Sequence, residues 1–213
     1  MDSLSEMPQT HSDLEKPPVP DDGDEIALKV DKPEDITEQQ GQDQDVHNPD
    51  DGTEGIKITD RGRIEFPNAG NANGDAGTIS FRIKPEWAGA DHTDNALVQI
   101  RNENEWNNRL ELVKNGEFLR FIITDDTGKE ADISTRITNW QNLEEHDVTA
   151  TWGDGRTTLY IDGQVVGQNE YSGNLRFAEG TPMFLGADWR GSAYAGANAT
   201  LNGFTLSTTP SHP

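Results

Sequence analysis

The second part of the chain alternates apolar and polar residues in short runs, a pattern that is typical of β-strands. Thr78–Lys84 alternates with period two, and comparable runs follow it along the chain. Asn115-Gly116 and Asp162-Gly163 lie between such runs, and both pairs are typical of tight hairpin turns. No window of about 12 residues keeps the apolar stripe of a helix. The pattern therefore predicts an all-β fold, a sandwich of two packed antiparallel sheets.

The first 55 residues differ in composition from the rest of the chain. They hold 17 acidic and three basic side chains, six of the 11 prolines and none of the 15 aromatic residues. Such a segment buries too little apolar surface to offset the entropy lost on ordering its backbone. We therefore divide the chain into an extended acidic arm at residues 1–55, a β-sandwich at 56–209 and a tail at 210–213.

One short piece of this arm alternates apolar and polar residues and can form a strand. Its apolar residues are Ile26, Leu28 and Val30, which would pair the arm either with a partner or with the sandwich itself. We expect them to be partner-binding residues, so that the arm tethers the sandwich to a larger protein assembly. The acidic run at 43–52 lacks the glycine and the glutamate of an EF-hand loop, so it does not match that kind of calcium site.

Charge and cysteine content exclude several classes of function. The formal net charge is −22, whereas nucleic acids and anionic membranes are bound by clustered lysine and arginine. No run approaches the ~18 apolar residues of a membrane span, and the first residues lack the basic and apolar regions of a secretory signal. Without cysteine there are no disulfides, thiolate nucleophiles or cysteine-based zinc sites.

Five stretches of the sandwich carry motifs of one kind of domain. They are an opening strand, a strand with a tryptophan near its end, a Tyr-x-Asp-Gly hairpin and two later strands, at Gly77–Trp87, Val148–Arg156, Leu159–Gly163, Phe184–Gly186 and Leu201–Leu206. In this order they resemble the laminin G-like domains of the concanavalin A-like lectin/glucanase group, over residues 56–209. The resemblance implies a jelly-roll sandwich, a fold that carries lectins, adhesins, hydrolases and structural modules alike.

We do not expect catalysis. The glucanases of this group place two carboxylates on one strand face, about 5–5.5 Å apart, in an E-x-D-x-x-E motif. The nearest candidate, Glu130-Ala131-Asp132, lacks the second glutamate. Glu144–Asp147 combines acids with an imidazole, and we interpret it as a polar loop before a strand. The chain is therefore predicted not to be an enzyme.

Two tryptophan-bearing loops are the candidate glycan sites. A glycan needs an aromatic platform for the apolar face of its ring and polar groups for its hydroxyls. The residues that we predict to bind it are Asn104, Trp106, Asn107, Arg109, Asp188, Trp189, Arg190 and Tyr194. The alternative is that each loop tryptophan caps an end of the core. The remaining three tryptophans, Trp87, Trp140 and Trp152, fall in or before strands and are assigned to the core.

Calcium is the one candidate cofactor, because laminin G-like domains often hold one calcium ion through loop oxygens. The candidate metal ligands, all in two polar loops, are Asn71, Asn73, Asp75, Asp91 and Asp94. Asparagine and glycine are also common in loops because they accept left-handed backbone angles, so turn formation is the alternative.

These observations predict a non-catalytic laminin G-like display or binding module, anchored by its acidic arm to a larger assembly. A bacteriophage capsid decoration or head-fibre protein with weak glycan adhesion fits them best, on a virion surface or in the extracellular space. The alternatives are a free or cell-surface carbohydrate-binding module and a glucanase-like hydrolase.

Overall fold

The computed structural model describes residues 26–30, 42–47, 54–67, 72–102, 105–178, 180–187 and 194–210, with Pro49 and Gly52. The described part of the chain holds 13 strands, and it contains no helix that is long and apolar enough to cross a membrane. The strands are β1 Ile26–Val30, β2 Gln42–His47, β3 Ile56–Pro67, β4 Gly77–Pro85, β5 Asp94–Ile100, β6 Arg109–Asn115, β7 Phe118–Thr124, β8 Glu130–Arg136, β9 His146–Gly153, β10 Arg156–Ile161, β11 Gln164–Glu170, β12 Pro182–Gly186 and β13 Ala199–Ser207.

The strands form one continuous sheet that folds into two layers, which confirms the predicted all-β antiparallel sandwich. Its order is β11-β10-β9-β4-β13-β3-β12-β5-β6-β7-β8, with β1 beside β13 and β2 beside β3. Strand β3 belongs to both layers. Its first residues, 56–58, pair with β13 of the first layer, and its last residues, 63–67, pair with β12 of the second.

The passage of β3 between the layers depends on close backbone contacts at two glycines. A Cβ atom on Gly186 would stand 2.5 Å from the carbonyl oxygen of Gly62, and one on Gly196 would stand 2.3 Å from that of Thr59. Gly186 also has a φ of 91°, which L side chains rarely adopt. A larger residue at either position would therefore push β3 out of its path.

The two ends of the sheet also approach each other. Asn169 Nδ2 in β11 donates a hydrogen bond to the carbonyl oxygen of Asp132 in β8 at 3.1 Å. Gly167 of β11 lies so close to Ile133 of β8 that an added Cβ would stand 2.3 Å from its Cγ2 atom. This contact limits access to the two terminal strands, which would otherwise be open to pairing with other chains.

The apolar core lies between the two layers, and strand alternation builds it. In β4, for example, Ile79, Phe81 and Ile83 are buried while Arg82 between them is exposed. The predicted core positions of Trp87, Trp140 and Trp152 are confirmed, because these residues are 3%, 2% and 0% exposed.

Two segments of the acidic N-terminal region are part of this sheet. β1 pairs with β13, with Leu28 opposite Leu206 and Val30 opposite Phe204, and β2 pairs with β3. Leu28 and Val30 are buried in the core of the sandwich. Of the two alternatives for this strand, the structure shows pairing with the chain's own sandwich. Leu28 and Val30 therefore contact the core rather than a partner, and the side chain of Ile26 lies outside the described part.

We predict that Val30→Asp lowers the free energy of unfolding by at least about 2 kcal/mol, because a carboxylate would replace a side chain that is 1% exposed. Lys29→Asp is the matched control, since Lys29 is exposed on the same strand. Urea unfolding followed by tryptophan fluorescence measures both variants. Equal midpoints for the two variants and the wild type would contradict the packing of β1 on the core.

Candidate functional site

The outer face of the second layer carries polar side chains that are buried although they point away from the core. Strand β6 alternates, so that Leu110 and Leu112 lie in the core while Arg109 and Glu111 lie on the opposite face. Glu111 is only 2% exposed, and its neighbour Gln99 on β5 is 0% exposed. Buried polar groups of this kind require hydrogen-bond partners.

Glu111 is the centre of the hydrogen-bond network on this face. Its Oε1 atom accepts a hydrogen bond from Gln99 Nε2 at 2.9 Å and lies 3.4 Å from Arg101 Nη1. Its Oε2 atom accepts a hydrogen bond from Arg109 Nη1 at 2.8 Å. Removing a carboxylate from water is expensive unless such partners replace the lost hydration. Both oxygens of Glu111 are therefore satisfied within the protein.

Arg109 is held by all three of its guanidinium nitrogens. Nε donates to Thr124 Oγ1 at 3.0 Å, Nη1 donates to Glu111, and Nη2 donates to Glu130 Oε1 at 2.8 Å. A planar group that is fixed at three points cannot change its orientation without breaking these bonds. The guanidinium plane of Arg109 is thus a rigid part of the sheet surface.

Trp106 lies against this rigid surface and is open to solvent. The centre of its ring is 4.8 Å from the guanidinium carbon of Arg109 and 5.8 Å from that of Arg101. These distances are typical of cation–π contacts. Trp106 is nevertheless 70% exposed, so the alternative that it caps the sandwich core is wrong.

The loop that carries Trp106 is tied to the turn between β7 and β8. Asn107 Nδ2 donates to the carbonyl oxygen of Asp126 at 3.1 Å, and the backbone amide of Asn108 donates to the carbonyl oxygen of Asp125 at 3.3 Å. Asn108 has a φ of 53°, a left-handed angle that asparagine tolerates better than most residues. The amide of Asn107, a predicted glycan ligand, is therefore used to hold the loop.

Tyr194 stands on the same outer face, over a small apolar cluster. Ala96, Val113 and Ile122 form this cluster apart from the main core, and Tyr194 packs against it. Burial is the main cause of the raised pKa of Tyr194, and the negative charge of Glu111 raises it further. The charge of Glu111 in the network therefore affects the ionisation of Tyr194.

A second arginine–carboxylate pair continues the polar surface across β7 and β8. Arg120 Nη2 lies 2.5 Å from Asp132 Oδ2, and this hydrogen bond raises the pKa of Arg120. Glu130, on the same strand as Asp132, is bound to Arg109. The two acids of the nearest glucanase-like motif are therefore each engaged in an ion pair with an arginine.

The structure brings three of the predicted glycan ligands together on what we call the Trp106 face, defined by Gln99, Arg101, Trp106, Arg109, Glu111 and Tyr194. The predicted ligands that lie outside the described residues are Asn104, Asp188, Trp189 and Arg190. Sequence reasoning missed Gln99, Arg101 and Glu111. Their signal was a local alternation, because Gln99 and Arg101 flank Ile100 at the end of β5 and Glu111 stands two positions after Arg109 in β6.

Comparison with known proteins places this fold in a family. The model for the laminin G branch of the concanavalin A-like lectin/glucanases superfamily matches residues 59–208. This chain belongs to that superfamily. The family resemblance seen in the sequence is confirmed, and we refer to residues 59–208 as the laminin G-like domain.

Solved structures with the same fold include receptor-binding domains of botulinum neurotoxins. That of the C/D mosaic serotype has a TM-score of 0.67 and 12% sequence identity over 88% of this chain. The serotype G binding domain has a TM-score of 0.65 and 11% identity, and the DC binding domain in complex with SialylT has 0.64 and 13%. Each match covers 48% of the toxin chain, so this chain spans about half of those domains. Comparison with curated protein sequences gives no match.

One of the two predicted calcium loops of the laminin G-like domain receives an ammonium group of the chain itself. Lys114, on the core side of β6, is 0% exposed. Its Nζ donates to Asp91 Oδ1 at 2.7 Å and to the carbonyl oxygens of Thr93 and Gly116, each at 2.8 Å. The carbonyl oxygen of Asp91 and Thr93 Oγ1 lie at 3.1 and 3.2 Å. Five oxygens thus surround a built-in cation.

The other candidate metal ligands are engaged as well. Asp94 Oδ1 accepts hydrogen bonds from Asn115 Nδ2 and the amide of Gly116 at 3.1 and 2.7 Å. Asp75 pairs with Arg176 at 2.8 Å, and Asn73 Oδ1 accepts the amide of Asp75 at 2.9 Å. Asn71 lies outside the described residues. In the part of the chain that the structure describes, no three side chains of histidine, aspartate or glutamate form a metal cluster. These donors fit an internal cation and turn formation better than calcium.

We predict that Lys114→Met lowers the free energy of unfolding by about 3–5 kcal/mol, because it leaves the oxygens around Nζ without their donor. Lys129→Met is the matched control at an exposed position. Added Ca²⁺ should leave wild-type unfolding unchanged, since the cation in this loop is covalently attached. Thermal unfolding with and without Ca²⁺ tests both statements, and equal stability of the two variants would contradict the first.

Asp91 should also contribute to acid unfolding. Burial acts to raise its pKa, but hydrogen bonds from Lys114 and Thr93 outweigh burial and lower the pKa to about 2. The unfolded value is about 3.9, so this stabilisation is present above about pH 4 and is lost as the pH falls towards 2. We predict that Asp91→Asn flattens the loss of stability over this pH interval. Parallel acid-unfolding curves for variant and wild type would contradict the assignment.

Proposed function

We propose that this laminin G-like domain is a non-catalytic carbohydrate-binding module and that the Trp106 face is its ligand site. The observation that carries the proposal is the side chain of Trp106, which is 70% exposed yet lies against two guanidinium groups. An indole with one apolar surface in water can stack on the apolar face of a sugar ring. Polar groups beside it then hydrogen-bond the hydroxyls of the sugar.

The network beneath Trp106 supports this proposal because it fixes the indole ring in place before a ligand binds. Arg109 and Glu111 hold each other in fixed positions, so the ring above them loses little freedom when a sugar stacks on it. Of the two arginines beside Trp106, Arg101 is the more exposed, at 17% against 10% for Arg109. In this proposal Arg101 donates hydrogen bonds to the sugar hydroxyls. Tyr194 forms the side of the ligand site opposite Arg101.

Two further observations support a binding module rather than a hydrolase. Glu130 and Asp132, the acids of the nearest glucanase-like motif, are each held in an ion pair with an arginine, which supports a structural role for both. A protein of the same fold, the botulinum neurotoxin DC binding domain, has been solved in complex with SialylT. At 13% identity that likeness concerns the fold, not individual residues.

The finer hypothesis is display on a larger assembly at a virion surface or outside the cell, for example as a bacteriophage capsid decoration or head-fibre protein. The uneven charge supports it, because 17 of the 39 acidic residues lie in the first 55 positions. Leu28 and Val30 are buried in the core, so contact with an assembly would use other parts of this region. Many copies on one surface would compensate for a weak individual glycan site.

We predict that Trp106→Ala weakens glycan binding at least about tenfold, which corresponds to about 1.4 kcal/mol, and leaves the unfolding midpoint unchanged. Trp106→Phe should retain part of the affinity because an aromatic ring remains. Val165→Ala, which truncates a side chain that is 52% exposed on the other layer, is the matched control. A glycan array selects the ligand, and titration calorimetry then measures the variants. Undiminished binding by Trp106→Ala, or no glycan bound by the wild type, would contradict the proposal.

A further inference from the structure

A second cluster of chemically active side chains lies on the first layer, away from the Trp106 face. His146 opens β9 and is 7% exposed. Its Nε2 atom is buried and has no hydrogen-bond partner, alone among the buried side-chain nitrogen and oxygen atoms of the described residues. A buried polar atom without a partner is rare in folded proteins and calls for an explanation, such as an ion that completes the site.

The other ring nitrogen of His146 is firmly bound. Nδ1 lies 2.9 Å from Asp162 Oδ2, and Asp162 Oδ1 accepts the amide hydrogen of Asp147 at 2.9 Å. A carboxylate at Nδ1 favours the tautomer with its proton there, which leaves the lone pair on Nε2. The same carboxylate–imidazole arrangement orients histidines that bind metals through Nε2.

A carboxylate oxygen stands at the distance expected of a second ligand. Glu144 Oε2 is 3.5 Å from His146 Nε2. Two ligand atoms at about 2.0–2.1 Å from one tetrahedral ion are about 3.4 Å apart, so an ion would fit between them. Glu144 Oε2 also accepts the amide hydrogen of Gln141 at 2.8 Å, which fixes its position.

The imidazole ring is fixed by stacking as well as by hydrogen bonding. Its centre is 3.9 Å from that of the Trp140 ring at an angle of 10°, and Trp140 in turn stacks on Trp87 at 6.0 Å. The position of Nε2 is therefore set by the core of the sandwich. The stacking also gives a direct optical signal for a quenching ion, such as Ni²⁺, bound to the imidazole.

The surroundings of the imidazole are negative. Glu144, Glu145, Asp147 and Asp162 lie in this segment and in the adjoining turn, and Arg82 is bound to one of them at 2.9 Å. The hydrogen bond that Arg82 donates to Asp147 raises the pKa of Arg82, and the charges of Glu145 and Asp162 act in the same direction. The excess of carboxylates favours the approach of a cation.

We propose that His146 Nε2 and Glu144 Oε2 bind a divalent transition-metal ion of the zinc type, with water completing its coordination and Asp162 orienting the imidazole. An imidazole nitrogen and a carboxylate oxygen suit zinc, copper and nickel rather than calcium. The described residues supply no third histidine, aspartate or glutamate to this ion. His146 Nε2 itself is buried, so water would reach the ion from the side of Glu144, which is 47% exposed. The site is independent of the Trp106 face and of the function proposed for it.

The full chain titrated with Ni²⁺ while tryptophan fluorescence is recorded tests this site, because an ion on His146 would quench the stacked Trp140. We expect saturable quenching in the wild type and its loss in His146→Gln. Glu144→Gln keeps the imidazole and changes a side chain that is 47% exposed, so it should fold normally and bind more weakly. Asp162→Asn should weaken binding about tenfold or more. Competition by Zn²⁺, which does not quench, should restore the signal.

His92→Gln is the matched control, since His92 is exposed and lies in the loop of Asp91. It should bind Ni²⁺ as the wild type does. Near-ultraviolet circular dichroism shows whether each variant keeps the native tryptophan packing. Equal quenching in wild type, His146→Gln and Glu144→Gln, or no saturable quenching in the wild type, would overturn the proposal.

Discussion

The passage of β3 through both layers is the constraint on which the rest of the structure depends. Its first residues pair with β13 and its last with β12, so one strand fixes the position of each layer relative to the other. Gly186 and Gly196 allow the necessary backbone approach. Once β12 stands beside β5, Tyr194 is brought next to the outer face of β6 through the pairing of Ala195 with Asn95. The geometry of the Trp106 face thus follows from the path of one strand.

The charged network on this face contributes more to the positioning of Trp106 than to the stability of the fold. An ion pair that is removed from water gains little net free energy, because desolvation offsets the attraction of the charges. What Arg109 and Glu111 provide is a fixed surface for Trp106, whose exposure would otherwise leave it free to move. Lys114 acts in a comparable way on the core side of β6, where its ammonium group orders the loop of Asp91. In both arrangements, buried charged groups fix the geometry of a neighbouring loop.

Much of the fold could be predicted from the sequence because strand alternation and hairpin turns are local signals. The turns at Asn115-Gly116 and Asp162-Gly163 occur where they were expected, between β6 and β7 and between β10 and β11. The partner of β1 could not be predicted, because a strand that alternates apolar and polar residues can pair with any open strand edge. Pairing with β13 is decided by the space that Val30 fills in the core.

The candidate site was predictable only in part. Trp106 stood out as an aromatic residue in a polar loop, but its support depends on the register of β5, β6 and β7, which brings Gln99, Glu111 and Thr124 into one network. Register is a property of the assembled sheet and is not visible in any one strand. Lys114 did carry a signal, because it follows Leu110 and Leu112 at core-facing positions of β6.

The most direct test of the account is the mobility of the Trp106 indole in the ligand-free protein. NMR relaxation of its Nε1–H group measures an order parameter for the ring. If the network holds the indole in place before a ligand binds, the order parameter should approach that of rigid backbone, about 0.85, although the residue is 70% exposed. A value below about 0.6 would show a mobile side chain and contradict the claim that Arg109 and Glu111 prepare this face for a ligand.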